Sequence, residues 1–227
     1  MKKYPSVILF SGGLDSCVAT TLLAQKKDSD LYLLSINYES LPSQREEKSR
    51  KKISEWLKKK YRNVREHQTL TIGGYLNLRT LKKNTLVPQG YPFTRDEAFI
   101  FLGASWLERL LIDNDGYGNG QIVIATTKED ALHFEDIRPE IYVHLNGILA
   151  TKYCNKLGKE MKVSVPFIEL MKHQVIEKGL LIGAPLEHTW SCYLGEKKPC
   201  RSCDQCRWRD EAFRKAGVED PADRRSI

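Results

Sequence analysis

Short runs of apolar and β-branched residues alternate along this chain with longer segments in which apolar positions recur every three or four residues. A short apolar run predicts a buried strand, and the longer spacing predicts an amphipathic helix. Their alternation predicts an α/β fold, with a parallel sheet and crossover helices on both of its faces. The predicted strands are VILF (7–10), LYLLSINY (31–38), QIVIATT (121–127) and the weaker VSVPF (163–167).

Sequence features that mark helix starts help to place the predicted helices. Ser43 and Glu46 have the spacing of a capping box, which satisfies two backbone donors that a helix start leaves unpaired. Polar residues fill the tail at 218–227, where we expect little order. Helices are predicted after the first strand, from residue 43, at 95–112, from 138 or 139 to 155, and at 170–178.

Length and composition limit the class of protein. The 227 residues fit one large α/β domain, so we expect a single domain over 1–227. No apolar stretch is long enough to cross a bilayer and no signal-peptide pattern follows Met1, which predicts a cytoplasmic protein without a membrane partner. The net charge of +7 fits a nucleic-acid partner, an anionic substrate or simply a basic surface.

Much of the positive charge lies in the run SRKKISEWLKKKYRNVR (49–65). Apolar residues recur in this run at i, i+3, i+4 and i+8, namely Ile53, Trp56, Leu57 and Tyr61. One helix face should therefore be buried, with the lysines and arginines on the other. This pattern favours a solvated helix face over an RNA-binding surface.

The segment FSGGLDS (10–16) is a glycine turn between a predicted strand and a predicted helix. Glycines at 12 and 13 can take positive φ and let an anion approach the backbone, while the hydroxyls of Ser11 and Ser16 and the helix N-terminus attract it. The turn lacks the lysine of GxxxxGK[ST] and the spacing of GxGxxG. We expect a phosphate or pyrophosphate site; an ordinary strand-to-helix turn is the alternative.

Four of the six cysteines crowd into a short C-terminal segment, at Cys192, Cys200, Cys203 and Cys206. Four thiolates bind Zn²⁺ tetrahedrally, and CxxCxxC brings three sulfurs around one point, so this spacing favours a closed structural zinc site. An iron–sulfur cluster and a set of unliganded thiols are the alternatives. The other two, Cys17 and Cys154, are interpreted as core or surface thiols.

These two motifs carry a resemblance to a known family. SGGLDS matches the SGGxDS pyrophosphate loop of the ATP pyrophosphatases, and together with the C-terminal cysteine–arginine block it resembles the QueC family over nearly the whole chain. The resemblance implies a Rossmann-like fold, a structural zinc in a segment at about 189–213, and a homodimer. It also implies that ATP and ammonia convert 7-carboxy-7-deazaguanine to an amide and then a nitrile, through two adenylations.

The resemblance also implies roles for individual residues. The ATP-binding set, with Mg²⁺, is Ser11, Gly12, Gly13, Leu14, Asp15 and Ser16. The implied catalytic residues are Asp15, Arg95 as a phosphate-facing cation, and Lys172. The implied deazaguanine pocket consists of Glu129, Asp130, Phe134, Asp136 and Arg138.

Three departures from the family pattern keep other functions open. Asp96 stands where the family has asparagine, Ile137 stands where it has cysteine, and the segment PQGYPFT (88–94) is longer. A QueC-like ligase would join the deazaguanine acid to an amine on another molecule, which includes a protein, as in anti-phage gene clusters. A non-enzymatic alternative is a nucleic-acid-binding module built on the basic helix and the cysteine segment.

Overall fold

The computed structural model describes residues 3–38, 42–72 and 94–222, without the side chains of 152–157. Within these ranges the chain forms five strands and seven α-helices. In chain order they are β1 (Tyr4–Leu9), α1 (Leu14–Ala24), β2 (Ser29–Asn37), α2 (Ser43–Lys60), β3 (Val64–Thr71), α3 (Arg95–Asp113), β4 (Gly120–Val123), α4 (Lys128–His133), α5 (Pro139–Leu157), β5 (Met161–Ser164), α6 (Lys172–Leu181) and α7 (Asp204–Lys215).

The five strands form one sheet in the order β3-β2-β1-β4-β5, and every neighbouring pair is parallel. The chain builds outward from β1 through β2 to β3, and then crosses back to place β4 on the other side of β1. The connections that follow β1 and β4 therefore diverge, which leaves a crevice at the carboxyl ends of these two strands. The predicted α/β fold with a parallel sheet is confirmed.

Successive residues of each strand face opposite sides of the sheet, so two cores form. On one side, Val7 packs in a cluster with residues of α3 and α5, such as Leu107 and Leu149. On the other side, Ile8 packs with residues of α1 and α2, such as Cys17 and Ile53. Helices α6 and α7 extend this second layer over α1. Helices on both faces, as predicted, are confirmed.

Strand β3 and helices α4 and α7 were not predicted. The sequence of β3, VREHQTLT, has only Val64 buried, because the strand lies at the edge of the sheet. A half-exposed edge strand carries no apolar run, so the hydrophobic pattern gives no signal. Helix α7 was missed because its sequence was interpreted as a metal-binding segment.

The capping box predicted at Ser43 is wrong. Helix α2 begins at Ser43, but its N-cap is Pro42 and no side chain caps it. Glu46 instead lies 3.6 Å from the guanidinium of Arg50. A complete capping box forms at the start of α4, between Thr127 and Asp130.

The tail is partly ordered, contrary to the prediction. Asp220 is 7% exposed and forms an ion pair with Arg209 of α7. Residues 88–93 of the lengthened segment, the tail beyond 222 and the side chain of Cys154 lie outside the described part of the chain. None of the described helices has both the length and the apolar character needed to cross a bilayer.

Candidate functional site

The glycine turn occupies the crevice between β1 and β4. Gly13 is the N-cap of α1 with φ of −77°, and no side chain caps this helix. The first N–H groups of α1 are thus available to an anion, and the helix dipole adds partial positive charge there. Ser11 accepts a hydrogen bond from the Gly13 N–H at 3.2 Å, and its hydroxyl lies 3.1 Å from that of Ser16. These contacts fix the shape of the turn.

Gly12 packs closely against α2. Its φ is +81°, and an added Cβ would lie 2.9 Å from Cγ of Arg50 and 3.1 Å from the carbonyl oxygen of Glu46. Its own carbonyl accepts a hydrogen bond from the Trp190 N–H at 3.1 Å. Gly12 is also absent from the lining of the cleft.

A cleft with a volume of about 280 Å³ opens at the turn. Its walls come from the ends of β1, β2 and β4, from the N-terminal parts of α1, α2, α3 and α6, from α4 and the residues that follow it, and from Trp190, Ser191, Tyr193 and Gln205. The predicted site residues that line it are Ser11, Gly13, Leu14, Asp15, Ser16, Arg95, Asp130, Phe134 and Lys172. Gly12, Glu129, Asp136 and Arg138 do not line it.

Lys172 is the charged centre of the cleft. It is 4% exposed, and its Nζ donates to Asp15 Oδ2 at 2.8 Å and lies 3.5 Å from Asp130 Oδ1. Burial opposes protonation, but Asp15 and Asp130 together outweigh it and hold the pKa of Lys172 above its ordinary value. Lys172 is therefore a cation, clamped between two carboxylates from α1 and α4.

The two carboxylates beside Lys172 differ in their remaining contacts. Burial raises the pKa of Asp15, and Lys172 only partly offsets this effect. Asp15 Oδ1 is buried and, among the residues that the structure describes, has no hydrogen-bond partner. Asp130 Oδ2, in contrast, accepts from the backbone N–H of Thr127 at 3.0 Å and from its hydroxyl at 2.6 Å.

Three residues of the predicted deazaguanine pocket have other surroundings. Glu129 accepts the backbone N–H of Lys172 at 2.7 Å, which ties α4 to the start of α6. The Arg138 side chain is 53% exposed and pairs with Glu135 at 3.3 Å on the surface. Asp136 lies in a 3₁₀ turn outside the cleft lining. Of this predicted group, only Asp130 and Phe134 line the cleft.

Arg95 begins α3 at the opposite wall. Its Nε donates to Asp96 at 3.1 Å, its Nη1 donates to the Tyr38 hydroxyl at 3.3 Å, and its guanidinium lies 5.7 Å from the centre of the Tyr38 ring. Asp96 therefore partly neutralises the cation that the sequence predicts to face phosphate.

Sequence reasoning missed several residues of the cleft wall. The clearest is Arg50, which is 2% exposed and follows the buried face of α2, three residues before Ile53. Burial lowers the pKa of Arg50 below its ordinary value, and Glu46 opposes this shift. The sequence did contain a signal for this residue, because Arg50 has the helical spacing of the apolar residues on the buried face of α2. The other missed wall residues include Tyr38, Phe99, Trp190, Ser191, Tyr193 and Gln205.

The four cysteines meet at one point. Their sulfurs all lie within 4.8 Å of one another, and those of Cys200 and Cys206 are 3.9 Å apart. Backbone N–H groups of Leu194 and Cys200 donate to the Cys192 sulfur, each at 3.4 Å. Hydrogen bonds, chiefly from Ser202, hold the pKa of Cys200 at about 6, which favours a thiolate. This arrangement fits a metal centre.

The cysteine segment also forms part of the cleft. Its N-terminal arm supplies Trp190 and Ser191, and the start of α7 supplies Gln205. Arg209 of α7 donates to the hydroxyls of Thr189 at 2.9 Å and Ser191 at 3.0 Å, so α7 anchors the arm. The cysteine cluster and the cleft therefore share one segment of chain.

Comparisons with known proteins found the following similarities. The family model described as Queuosine biosynthesis protein QueC matches residues 5–217. The 7-cyano-7-deazaguanine synthase of Chloroherpeton thalassium is 30% identical over 224 residues, which cover 95% of each chain. That of Chlorobium phaeovibrioides is 31% identical over 226 residues, covering 96% of this chain and 95% of the relative. Among solved structures, the U34-tRNA thiolase NcsA from Methanococcus maripaludis gives a TM-score of 0.47 at 18% identity, covering 95% of this chain and 68% of that one.

Proposed function

Because the chain belongs to the QueC family, we propose that it activates 7-carboxy-7-deazaguanine with ATP and uses ammonia to make 7-cyano-7-deazaguanine. In the first step the acid attacks the α-phosphate of ATP and releases pyrophosphate, and ammonia then displaces AMP to give the amide. In the second step the amide oxygen is adenylated by another ATP, and loss of AMP leaves the nitrile. The whole chain would act as one adenine-nucleotide-binding domain.

The observation that carries this proposal is that the glycine turn and Lys172 lie together in the cleft at the carboxyl ends of β1 and β4. The turn presents the uncapped N-terminus of α1, which suits phosphate oxygens. Lys172 and Arg95 lie in the walls on either side and would offset the charge that develops when the α-phosphate is attacked. Phe134, also in the wall, offers a ring on which a deazaguanine can stack.

Asp130 has fewer free oxygen atoms for binding the base than the sequence predicts. One of its carboxylate oxygens already accepts two hydrogen bonds from Thr127, which leaves mainly Oδ1, on the Lys172 side, for a ligand. Since Glu129, Asp136 and Arg138 lie outside the lining, the proposal gives base recognition to Phe134 and Asp130 and assigns the other three to structural contacts.

The cleft residues fit a magnesium ion beside the nucleotide. Its described wall carries four carboxylates, of Asp15, Glu46, Asp96 and Asp130, against three cations, Arg50, Arg95 and Lys172. The buried Asp15 Oδ1 is the natural oxygen ligand, since Mg²⁺ is bound through one or two carboxylates, substrate phosphates and water. The ion would supply charge neutralisation on the phosphates.

The cysteine centre fits zinc. At a Zn–S distance of roughly 2.3 Å, tetrahedral geometry places the sulfurs about 3.8 Å apart. The sulfurs of Cys200 and Cys206 are 3.9 Å apart, and all four sulfurs lie within 4.8 Å of one another. In a four-iron cluster each cysteine binds a different iron, so the sulfurs would stand farther apart. We propose a closed structural zinc, held by all four cysteines, in the segment 189–213.

The decisive experiment is a product stoichiometry. The protein is incubated with 7-carboxy-7-deazaguanine, ATP and ammonium, and AMP, pyrophosphate and product mass are measured together. Two AMP for each nitrile supports the proposed synthase. No ATP consumption contradicts the proposal and favours a binding module. ATP consumption that does not depend on the deazaguanine acid contradicts the proposed substrate.

One observation favours a second candidate, a QueC-like ligase. Asp96 takes the place of the family's asparagine and pairs with Arg95, which alters the wall where the activated carbon would lie. A ligase needs only the first adenylation. Its acceptor is an amine on another molecule, and that molecule can be a protein. One AMP per amide or conjugate supports this reading, which would fit a defence role. A homodimer and a cytoplasmic location remain part of either proposal.

A further inference from the structure

Arg50 is a buried cation in the cleft wall whose donors are only partly used. It is 2% exposed, and among the described residues its Nε and Nη2 have no hydrogen-bond partner. Its Nη1 lies 3.6 Å from Glu46, which is beyond ordinary hydrogen-bond distance. Burying a guanidinium in this way is costly, because nothing in the described fold replaces its lost hydration.

Arg50 packs against the glycine turn. A Cβ on Gly12 would lie 2.9 Å from Cγ of Arg50 and 3.1 Å from its backbone nitrogen, so the side-chain stem runs directly against the turn. The same turn presents the uncapped N-terminus of α1. Two independent anion-attracting features, a buried guanidinium and a free helix start, therefore line one cleft.

The other cations of the cleft are compensated more fully. Lys172 contacts two carboxylates, at 2.8 and 3.5 Å. Arg95 donates to Asp96 and to the Tyr38 hydroxyl. Arg50 contacts only Glu46 among described carboxylates, and at a longer distance.

We propose that Arg50 is a nucleotide-binding residue whose guanidinium donates to the phosphate oxygens of ATP at the glycine turn. The inference rests on the proposed function and extends it to a residue outside the SGGLDS motif. A guanidinium fork also matches a carboxylate. Contact with the turn favours phosphate over the carboxylate of the deazaguanine acid, since helix N-termini at glycine turns bind phosphate groups.

The test replaces Arg50 by methionine, which keeps an unbranched stem and removes the charge. Calorimetric titrations measure the affinity of the full-length protein for pyrophosphate, for ATP and for adenosine, which has no phosphate. Arg50→Met should weaken pyrophosphate and ATP at least about tenfold, because a charge-assisted hydrogen bond is lost. Adenosine affinity should stay unchanged. Lys51→Met removes one charge from the exposed side of the same helix and should change none of the three affinities.

Several results would overturn the inference. Unchanged pyrophosphate affinity in Arg50→Met would do so, and so would equal losses for adenosine and pyrophosphate, since these indicate a packing role. Weaker binding of 7-carboxy-7-deazaguanine with normal pyrophosphate binding would assign Arg50 to the acid instead. If the methionine variant is insoluble, Arg50→Gln serves in its place with the same expected loss, and unchanged affinity there overturns the inference equally.

The wild-type protein separates this inference from the function on which it rests. If wild-type protein binds neither ATP nor pyrophosphate, the proposed function fails and the role of Arg50 fails with it. If wild-type protein and Arg50→Met bind both ligands equally, only the inference about Arg50 is wrong.

Discussion

Two steric constraints act on Gly12. Its φ of +81° lies in the left-handed region, where a Cβ costs about 1–2 kcal/mol. The Cγ of Arg50 fills the space 2.9 Å from the site of that Cβ. The absence of a side chain at Gly12 lets α2 pack against the turn and thereby places Arg50.

Gly12→Ala should therefore cost more stability than the backbone angle alone explains. Gly217 is the matched control, because its φ is +69° and nothing lies within 4 Å of its Cβ position. Gly217→Ala should lower the free energy of unfolding by about 1–2 kcal/mol, and Gly12→Ala should lower it further and weaken pyrophosphate binding. Urea denaturation and calorimetry measure both effects. Equal losses of stability would show that Arg50 moves aside without cost.

His67 adds a pH dependence. Burial, with the nearby charges of Arg50 and Lys58, lowers its pKa from 6.5 to about 4. An unfolded chain binds the proton near pH 6.5 but the folded chain does not, so the stability that neutral His67 contributes is present above pH 6.5 and is lost as the pH falls toward 4. Since His67 is only partly buried, we expect a loss of about 1–2 kcal/mol rather than the full amount that the shift implies.

His67→Gln should flatten this part of the stability curve. Glutamine has no titration in the range and can still hydrogen-bond to Ser35, whose hydroxyl lies 2.8 Å from His67 Nε2. Unfolding free energies of both proteins, measured by urea at intervals from pH 7 to pH 4, should converge as the pH falls. Parallel curves would mean that His67 titrates normally in the folded protein.

At the scale of elements, α7 connects the cysteine cluster, the cleft arm and the tail. Arg209 is 7% exposed, donates to Asp220 Oδ1 at 2.9 Å, and bonds to the arm through Thr189 and Ser191. A buried guanidinium with a carboxylate and two hydroxyls is well satisfied. Removing it leaves Asp220 as an uncompensated buried charge.

Arg209→Met should lower the free energy of unfolding by about 3–5 kcal/mol. The double variant Arg209→Met with Asp220→Asn should recover part of that loss, because it removes the stranded carboxylate. Arg207 of the same helix pairs with Asp204, with both side chains more than half exposed, so Arg207→Met should change stability by less than about 0.5 kcal/mol. Urea denaturation of the wild-type protein and the three variants measures these free energies of unfolding. Similar losses for Arg207→Met and Arg209→Met would contradict the role given to the buried pair.

The sequence predicted those strands that are buried and therefore contain a run of apolar residues. The strands β1, β2, β4 and β5 have apolar residues and were predicted with boundary shifts of a few residues, whereas β3 is an edge strand with one buried residue and was not. The start of α2 was predicted at Ser43 for the wrong reason, because Glu46 turns toward Arg50 rather than toward a backbone donor. Glu46 and Arg50 have the i,i+4 spacing of a helical ion pair, so the sequence offered a competing interpretation of Glu46 that the capping-box prediction did not weigh.

At the scale of the molecule, the cleft is assembled from parts that are distant in sequence. The turn at 10–16 and Lys172 meet only because β4 returns beside β1, and the sequence-based family resemblance anticipated that meeting without its geometry. The arm at Trp190 was not anticipated, since only the folded chain shows its N–H bonded to the carbonyl of Gly12. Motifs identified the turn and the cysteines, and tertiary packing decided which neighbouring side chains line the cleft.

This assembly predicts that metal and nucleotide binding are coupled. The cysteines hold the segment that supplies Trp190, Ser191 and Gln205 to the cleft, so loss of the metal should release that wall. Purified protein should contain one zinc per chain, and chelation, like Cys203→Ser, should lower both the melting temperature and the affinity for pyrophosphate measured without magnesium. Adding zinc back should restore the wild-type protein but not the serine variant. Iron in place of zinc would contradict the metal assignment, and metal-free protein with normal pyrophosphate affinity would show that the cleft wall stands without the metal.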